Sequence, residues 1–193
     1  MCKVKIKKSG KLPISEVEYN SSTKIPITKS KENNIIFSYK YFKCVSKKDK
    51  IFNNCFSSIY NYATWITLVI ERIANFSTMD VNEIKNSGSS ARFHLVQDGD
   101  LDKLKRVLCN IGLKLDDIFS QEESNNYYEL SFGKGNGRMF GYLIDNNYYI
   151  LLMDPNHLIY ENLSKGAKYS LLHKNYDPWN SLLSDNNVYI NKV

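Results

Sequence analysis

Residues 127–153 read YYELSFGKGNGRMFGYLIDNNYYILLM, and this stretch decides the fold. Tyr128, Leu130 and Phe132 alternate with polar neighbours. That is the period of two a strand requires, because successive side chains point to opposite faces of a sheet. The run Gly133-Lys134-Gly135-Asn136-Gly137 then turns the chain, and Asn-Gly is a hairpin signal because both residues tolerate positive φ. Arg138 to Ile144 forms the return strand, Asp145-Asn146-Asn147 turns again, and Tyr148 to Met153 forms a third strand. The expectation is a C-terminal β-meander.

Upstream, the periodicity changes. Phe52, Phe56, Ile59, Ala63, Ile66, Ile70 and Ile73 are spaced by alternating fours and threes, which places them on one helical stripe. The spacing predicts a helix over 52–75 that turns this stripe to the core. Ile35 to Phe42, rich in β-branched and aromatic residues, reads as the first core strand. Ser77 and Asp80 form a capping pair ahead of a short helix with Val81 and Ile84, which Ser87-Gly88-Ser89 ends. Arg92 to Val96 reads as a short strand. Asp98 or Asp100 caps a helix carrying Leu101, Leu104, Val107 and Leu108, and Gly112 stops it. The tail, with His173 and Trp179, packs as a short helix or cover. The fold class is therefore α+β: an antiparallel sheet with a C-terminal β-meander packed against a long N-terminal helix.

The charge is unevenly spread. Residues 1–50 hold 13 lysines, no arginine and four acids, a net of +9, while the remaining 143 residues carry −3. Residues 1–34 mix Lys, Ser and Asn with Pro13 and Pro26, and they read as a basic extended or disordered arm. Residues 35–193 form a single domain behind it. A basic leader on a mildly acidic body suits polyanions, with RNA the expected partner. A solvated tail that only maintains solubility is the plain alternative.

Cys2, Cys44, Cys55 and Cys109 are scattered, without the spacing of a zinc site or a disulfide framework, so no cofactor or metal is expected. The most apolar run, Trp65 to Ile70, is interrupted by Glu71 and Arg72. It falls far short of the ~20 residues of a membrane span. No leader peptide is read at the start, and a cytoplasmic location without membrane contact is expected. Phosphate-loop, His-Glu-x-x-His and Gly-x-Ser-x-Gly signatures are absent.

The chemistry-bearing residues lie at the end of the meander. Arg138 opens one strand, and His157 and Tyr160 follow the end of the next. In an antiparallel pair the start of one strand lies beside the end of its neighbour, so the three converge at one edge of the sheet. This segment, residues 127–160, resembles the final hairpin of the RelE/ParE-like superfamily of mRNA-cleaving toxins. In that family an Arg-opened strand, a short polar turn, an apolar strand and then His and Tyr recur in this order. The resemblance implies a metal-independent endoribonuclease of toxin–antitoxin or phage-defence (antiviral) type, acting on RNA, with ribosome-associated mRNA and a neutralising antitoxin as partners. It assigns Arg138 to transition-state charge, His157 to proton transfer and Tyr160 to positioning. Such roles suit these side chains. Histidine titrates near neutrality, and the arginine fork binds two phosphate oxygens.

Arg92 and His94, alternating on one strand face, form a second cationic pair, His94 as a catalytic candidate and Arg92 as an RNA contact. Lys40, Lys43, Lys47 and Lys48 complete the candidate RNA contacts. Each has a plainer role as well: surface ion pairing for Arg138, a turn residue for His157, packing for Tyr160 and an exposed strand face for Arg92 and His94. Two other functions stay open: a non-catalytic nucleic-acid-binding module, and a protein–protein or regulatory component built on Tyr-rich surfaces.

Overall fold

The apolar residues of 127–153 occupy both phases of each strand, so the sheet needs cover on both faces. The computed structural model describes residues 2–5, 16–19, 33–45, 51–86, 93–115, 118, 126–133, 135–160 and 174–184. The chain divides into two units, residues 1–30 and 31–193. In the first, β1 (Cys2–Lys5) pairs antiparallel with β2 (Glu16–Tyr19), a register that sets Lys3 opposite Glu18 and Lys5 opposite Glu16.

The second unit is mixed α/β. Its strands are β3 (Ile36–Ser38), β4 (Phe93–Leu95), β5 (Tyr127–Ser131), β6 (Arg138–Ile144) and β7 (Asn147–Asp154). They form one five-stranded sheet in the order β3-β7-β6-β5-β4. Its helices are α1 (Ile59–Phe76), α2 (Val81–Asn86), α3 (Asp98–Asn110) and α4 (Pro178–Ser184). β4 to β7 pair antiparallel, but β3 lies parallel to β7, with Ile36 opposite Asn147. The sheet is therefore mixed, not antiparallel throughout. The long connection through α1, α2, β4, α3, β5 and β6 returns the chain beside its first strand in the same direction, as a crossover permits.

Two apolar clusters fill the two faces. Leu104, Val107 and Leu108 of α3 pack with Tyr127, Phe140, Tyr142 and Leu152. Val69 and Phe76 of α1 and Ile84 of α2 pack with Leu130, Met139, Tyr148 and Ile150. Each fully buried leucine contributes about 1.5–3 kcal/mol relative to an exposed one.

The long helix starts later than its spacing suggests, and its inward face is rotated from the expected stripe, keeping Ile66 and Ile73 against the core but not Ile59 and Ile70. Residues 52–58 are not helical. Phe52 and Phe56 are buried in extended backbone, because Asn53 Oδ1 accepts the Cys55 N–H (3.0 Å) and Asn54 Oδ1 accepts the Val45 N–H (2.7 Å). These side-chain bonds give the backbone an alternative to helix. Ser58 then caps α1, accepting the Asn61 N–H at 3.2 Å. Ile59 and Ile70, members of the expected stripe, are 65% and 62% exposed, whereas Val69 and Phe76 are buried. The large rings of Trp65 and Phe76 set the rotation, with Trp65 edge-on to Phe132 at 5.8 Å. At α3, Asp98 and Asp100 lie inside the first turn, and Gln97 occupies the cap without a side-chain bond.

The turn 133–136 closes with Asn136 N–H to Gly133 O at 3.2 Å, and its left-handed positions fall on Gly133, Gly135 and Gly137 instead of on Asn136. No helix among the described residues is long and apolar enough to cross a membrane.

Candidate functional site

Residues of four neighbouring strands meet on the face covered by α3. Glu129 in the middle of β5 has His94 of β4 as its cross-strand partner, and Arg138 stands two residues from Phe140, the partner of Glu129 on β6. Arg138 in turn pairs with Asp154 at the end of β7. The antiparallel register thus brings all four onto the same side of the sheet.

Glu129 is the hub. Its side chain is 1% exposed, and both carboxylate oxygens accept from Arg138 Nη1, at 2.7 and 2.8 Å. Oε1 also lies 2.8 Å from His94 Nε2. A buried carboxylate requires such partners, since an unpaired buried charge costs several kcal/mol. His94 is 53% exposed and Arg138 25%, so solvent reaches the cluster through these two side chains.

Asp154 builds the loop that carries the other residues. It is fully buried, and Oδ1 accepts from the N–H groups of Asn156 (3.1 Å) and Leu158 (2.9 Å), while Oδ2 accepts from Ile159 (2.8 Å). Burial pushes its carboxyl up, and these N–H bonds together with nearby His157 oppose the rise. Pro155, which lacks an N–H, stops the strand from continuing. Tied back on Asp154, the loop forces His157 to φ 57°, a left-handed conformation uncommon for a side chain of its size.

That twist sets the imidazole between two donors. Arg138 Nε donates to His157 Nδ1 at 3.2 Å, and the Gly137 N–H approaches Nε2 at 3.2 Å. A neutral imidazole carries one acceptor lone pair and an imidazolium none, so a doubly protonated ring would set N–H against N–H on both edges. His94 has the opposite surroundings. Its Nε2 faces Glu129 and its Nδ1 lies 3.2 Å from Leu95 O, so both ring nitrogens face acceptors. Tyr160 lies under the guanidinium, 4.3 Å from ring centre to Arg138 Cζ, and stacks on Phe140 at 5.9 Å. Its hydroxyl is buried beside Glu129 but outside hydrogen-bonding geometry. Burial and then Glu129 raise the phenol far above its ordinary value, so it stays protonated.

Asp100, in the first turn of α3, faces the same cluster. Burial first, and the Glu129 carboxylate second, raise its carboxyl, with Arg138 and Lys103 pulling the other way. A carboxyl whose folded pKa is raised binds its proton more readily folded than unfolded. Its contribution to stability is therefore most favourable in acid and falls as pH rises through the raised value. Asp100→Asn is expected to raise the melting temperature more at neutral pH than near pH 4, with Asp98 still complementing the helix dipole. Thermal denaturation across that interval checks this. An unchanged difference between mutant and parent at both ends would contradict it.

Of the residues singled out in the sequence, Arg138, His157, Tyr160 and His94 come together here. Lys40 and Lys43 do not. They lie beyond β3 at the other edge of the sheet, Lys40 over the Tyr41 ring at 5.0 Å and Lys43 with its N–H on Leu151 O. Arg92, Lys47 and Lys48 fall outside the described residues. Glu129, Asp100 and the structural role of Asp154 escaped the sequence reading. The available signal was a lone carboxylate in phase with Tyr127 on a strand whose other phase is also apolar. Among the described residues no group of His, Cys, Asp and Glu has the arrangement of a metal site.

No curated protein and no solved structure matches the chain. A family model matches residues 38–180, a span that contains every residue of the cluster. The chain belongs to the family described as Uncharacterised protein UU032.

Proposed function

We propose that the protein is a metal-independent endoribonuclease, in which the β5–β7 meander, packed against the long helix, is the platform for acid–base chemistry. The observation that carries this reading is the opposed surroundings of the two histidines. His94 faces acceptors and suits a proton donor, while His157 faces N–H donors and suits a proton acceptor. Cleavage of RNA by its own 2′-hydroxyl needs one of each.

In the proposed step the ribose 2′-oxygen attacks the adjacent phosphorus and its proton passes to His157 Nε2, the acceptor nitrogen in the tautomer that takes the Gly137 N–H; the Gly137 donor is displaced, and Arg138 Nε swings from the Nδ1 edge to the phosphate as the ring becomes doubly protonated. The bond to the 5′-oxygen breaks, and that oxygen takes a proton from His94. The products are a 2′,3′-cyclic phosphate and a free 5′-hydroxyl. Glu129 is a positioning residue, orienting His94 and the guanidinium from behind. Arg138 spends Nη1 on Glu129 and Nε on His157, which leaves Nη2 without a hydrogen bond among the described residues and available to a phosphate oxygen. Because Glu129 compensates its charge, long-range attraction falls to the lysine-rich leader.

His94→Ala removes an exposed side chain, so the fold should survive while cleavage of RNA in EDTA falls by about 10²–10⁴-fold. Retained cleavage would remove His94 from the mechanism. A second reading rests on the same charge compensation: the cluster is an ion-pair clasp joining β4, β5 and β6, and the chain binds nucleic acid without cutting it. Binding that weakens steeply with salt while RNA stays intact is its signature.

A further inference from the structure

Apart from the ion-pair cluster, a cavity of ≈ 150 Å³ lies among α1, the segment after β3 and the start of α4. Rings dominate its wall: Phe42, Phe56, Tyr62, Trp65 and Trp179 all line it. Phe56 is wedged between Tyr62 and Trp65, both at 5.3 Å between ring centres. Three of the polar side chains on the wall are committed elsewhere. The Trp65 indole N–H donates to Asn136 O at 2.8 Å. Asn54 bonds the backbone at Val45 and at Met153. One Asp177 oxygen caps α4 through the N–H groups of Trp179 and Asn180. Tyr39, Ile70 and Trp179, three of the large hydrophobic side chains left exposed, stand at this same cavity.

From this geometry we infer a binding site for a small apolar molecule containing one aromatic ring. Volume sets the size, since a dry apolar cavity of about 150 Å³ accommodates benzene. The wall sets the class. The rings of Trp65, Tyr62 and Phe56 on the wall favour an aromatic guest, which makes offset or edge-to-face contacts that a saturated ring of equal volume cannot return. The site shares no residue with the ion-pair cluster, so it stands or falls independently of the nuclease proposal.

The chain contains two tryptophans and both line the cavity, so intrinsic fluorescence of the full-length protein reports occupancy directly. Titration with toluene is expected to give a saturable change in tryptophan emission together with a rise in melting temperature. Methylcyclohexane, of similar size, should bind at least tenfold more weakly. Cys44→Phe, at the wall, and Val69→Phe, on the core side, each place a ring in the space, and each should abolish the saturable change. Should Val69→Phe fail to fold, Cys44→Phe decides alone, since Cys44 is solvent-exposed. The proposal is overturned if toluene gives no saturable change up to its solubility, if the change survives Cys44→Phe, or if methylcyclohexane binds equally well.

Discussion

Gly137→Ala should be among the most damaging single-methyl additions in this protein. A Cβ at this position would stand 2.6 Å from the carbonyl oxygen of Asp154 and 2.7 Å from Pro155 Cα. Both are backbone atoms, so no side chain can swing away to relieve the contact. Gly137 also holds φ +82°, where an L side chain costs roughly 1–2 kcal/mol. With overpacking of about 1–3 kcal/mol added, the loss comes to roughly 2–5 kcal/mol. That is a large part of the ~5–15 kcal/mol by which domains are stable. The melting temperature should fall by on the order of 10 °C. Gly135→Ala is the internal control. It shares a positive φ (+79°) but has nothing within 4 Å, so it should cost only the backbone term. Comparable losses at the two positions, measured by denaturant or thermal unfolding, would contradict the close packing of strand β6 on the 154–157 loop. Because the Gly137 N–H faces His157, any Gly137→Ala protein that folds should also have a displaced imidazole and reduced activity.

Asp154→Ala is expected to be as costly for a different reason. Three N–H groups, from Asn156, Leu158 and Ile159, lose their acceptor inside the protein. Each unsatisfied buried donor costs about 1–3 kcal/mol, with partial relaxation keeping the sum near 3–5 kcal/mol. Asp154→Asn separates acceptor number from charge. Its oxygen can still accept from Asn156 and Leu158, but its NH₂ would face the Ile159 N–H, so an intermediate loss is expected. Equilibrium unfolding of the two variants gives the ranking. A stability equal to the parent's in Asp154→Ala would mean that the loop holds His157 and Tyr160 by other means.

Part of this organisation was legible in the sequence. The strands over residues 127–153 announced themselves through period-two alternation and glycine-rich turns, and antiparallel geometry alone was sufficient to bring Arg138 beside the 154–160 segment. The face of α1 was legible in part. Ile66 and Ile73 of the expected stripe pack on the core, while the rings of Trp65 and Phe76, with Val69, rotate the buried face away from Ile59 and Ile70. The start of α1 was hidden because Asn53 and Asn54 take backbone donors through contacts to Cys55 and Val45 that spacing cannot reveal. The parallel placement of β3 was equally hidden, since strand direction depends on what the intervening chain covers. Glu129 was passed over for a related reason. Alternation with Tyr128 and Leu130 suggested an outward-facing polar residue, whereas a sheet covered on both faces has no outward phase. The hydrogen-bond surroundings of the two histidines arise from loop closure on Asp154 and from strand pairing with β4, and no local pattern encodes either.

In the proposed mechanism the two imidazoles, held in opposite hydrogen-bonding surroundings around the Arg138–Glu129 pair, move protons for an internal attack by the ribose hydroxyl. The most direct measurement is the chemistry of the ends left when the full-length protein is incubated with RNA in EDTA. Fragments ending in 2′,3′-cyclic phosphate and beginning with 5′-hydroxyl are expected, at a rate lowered by both His94→Ala and His157→Ala. Intact RNA, or fragments carrying 5′-phosphate, would contradict it.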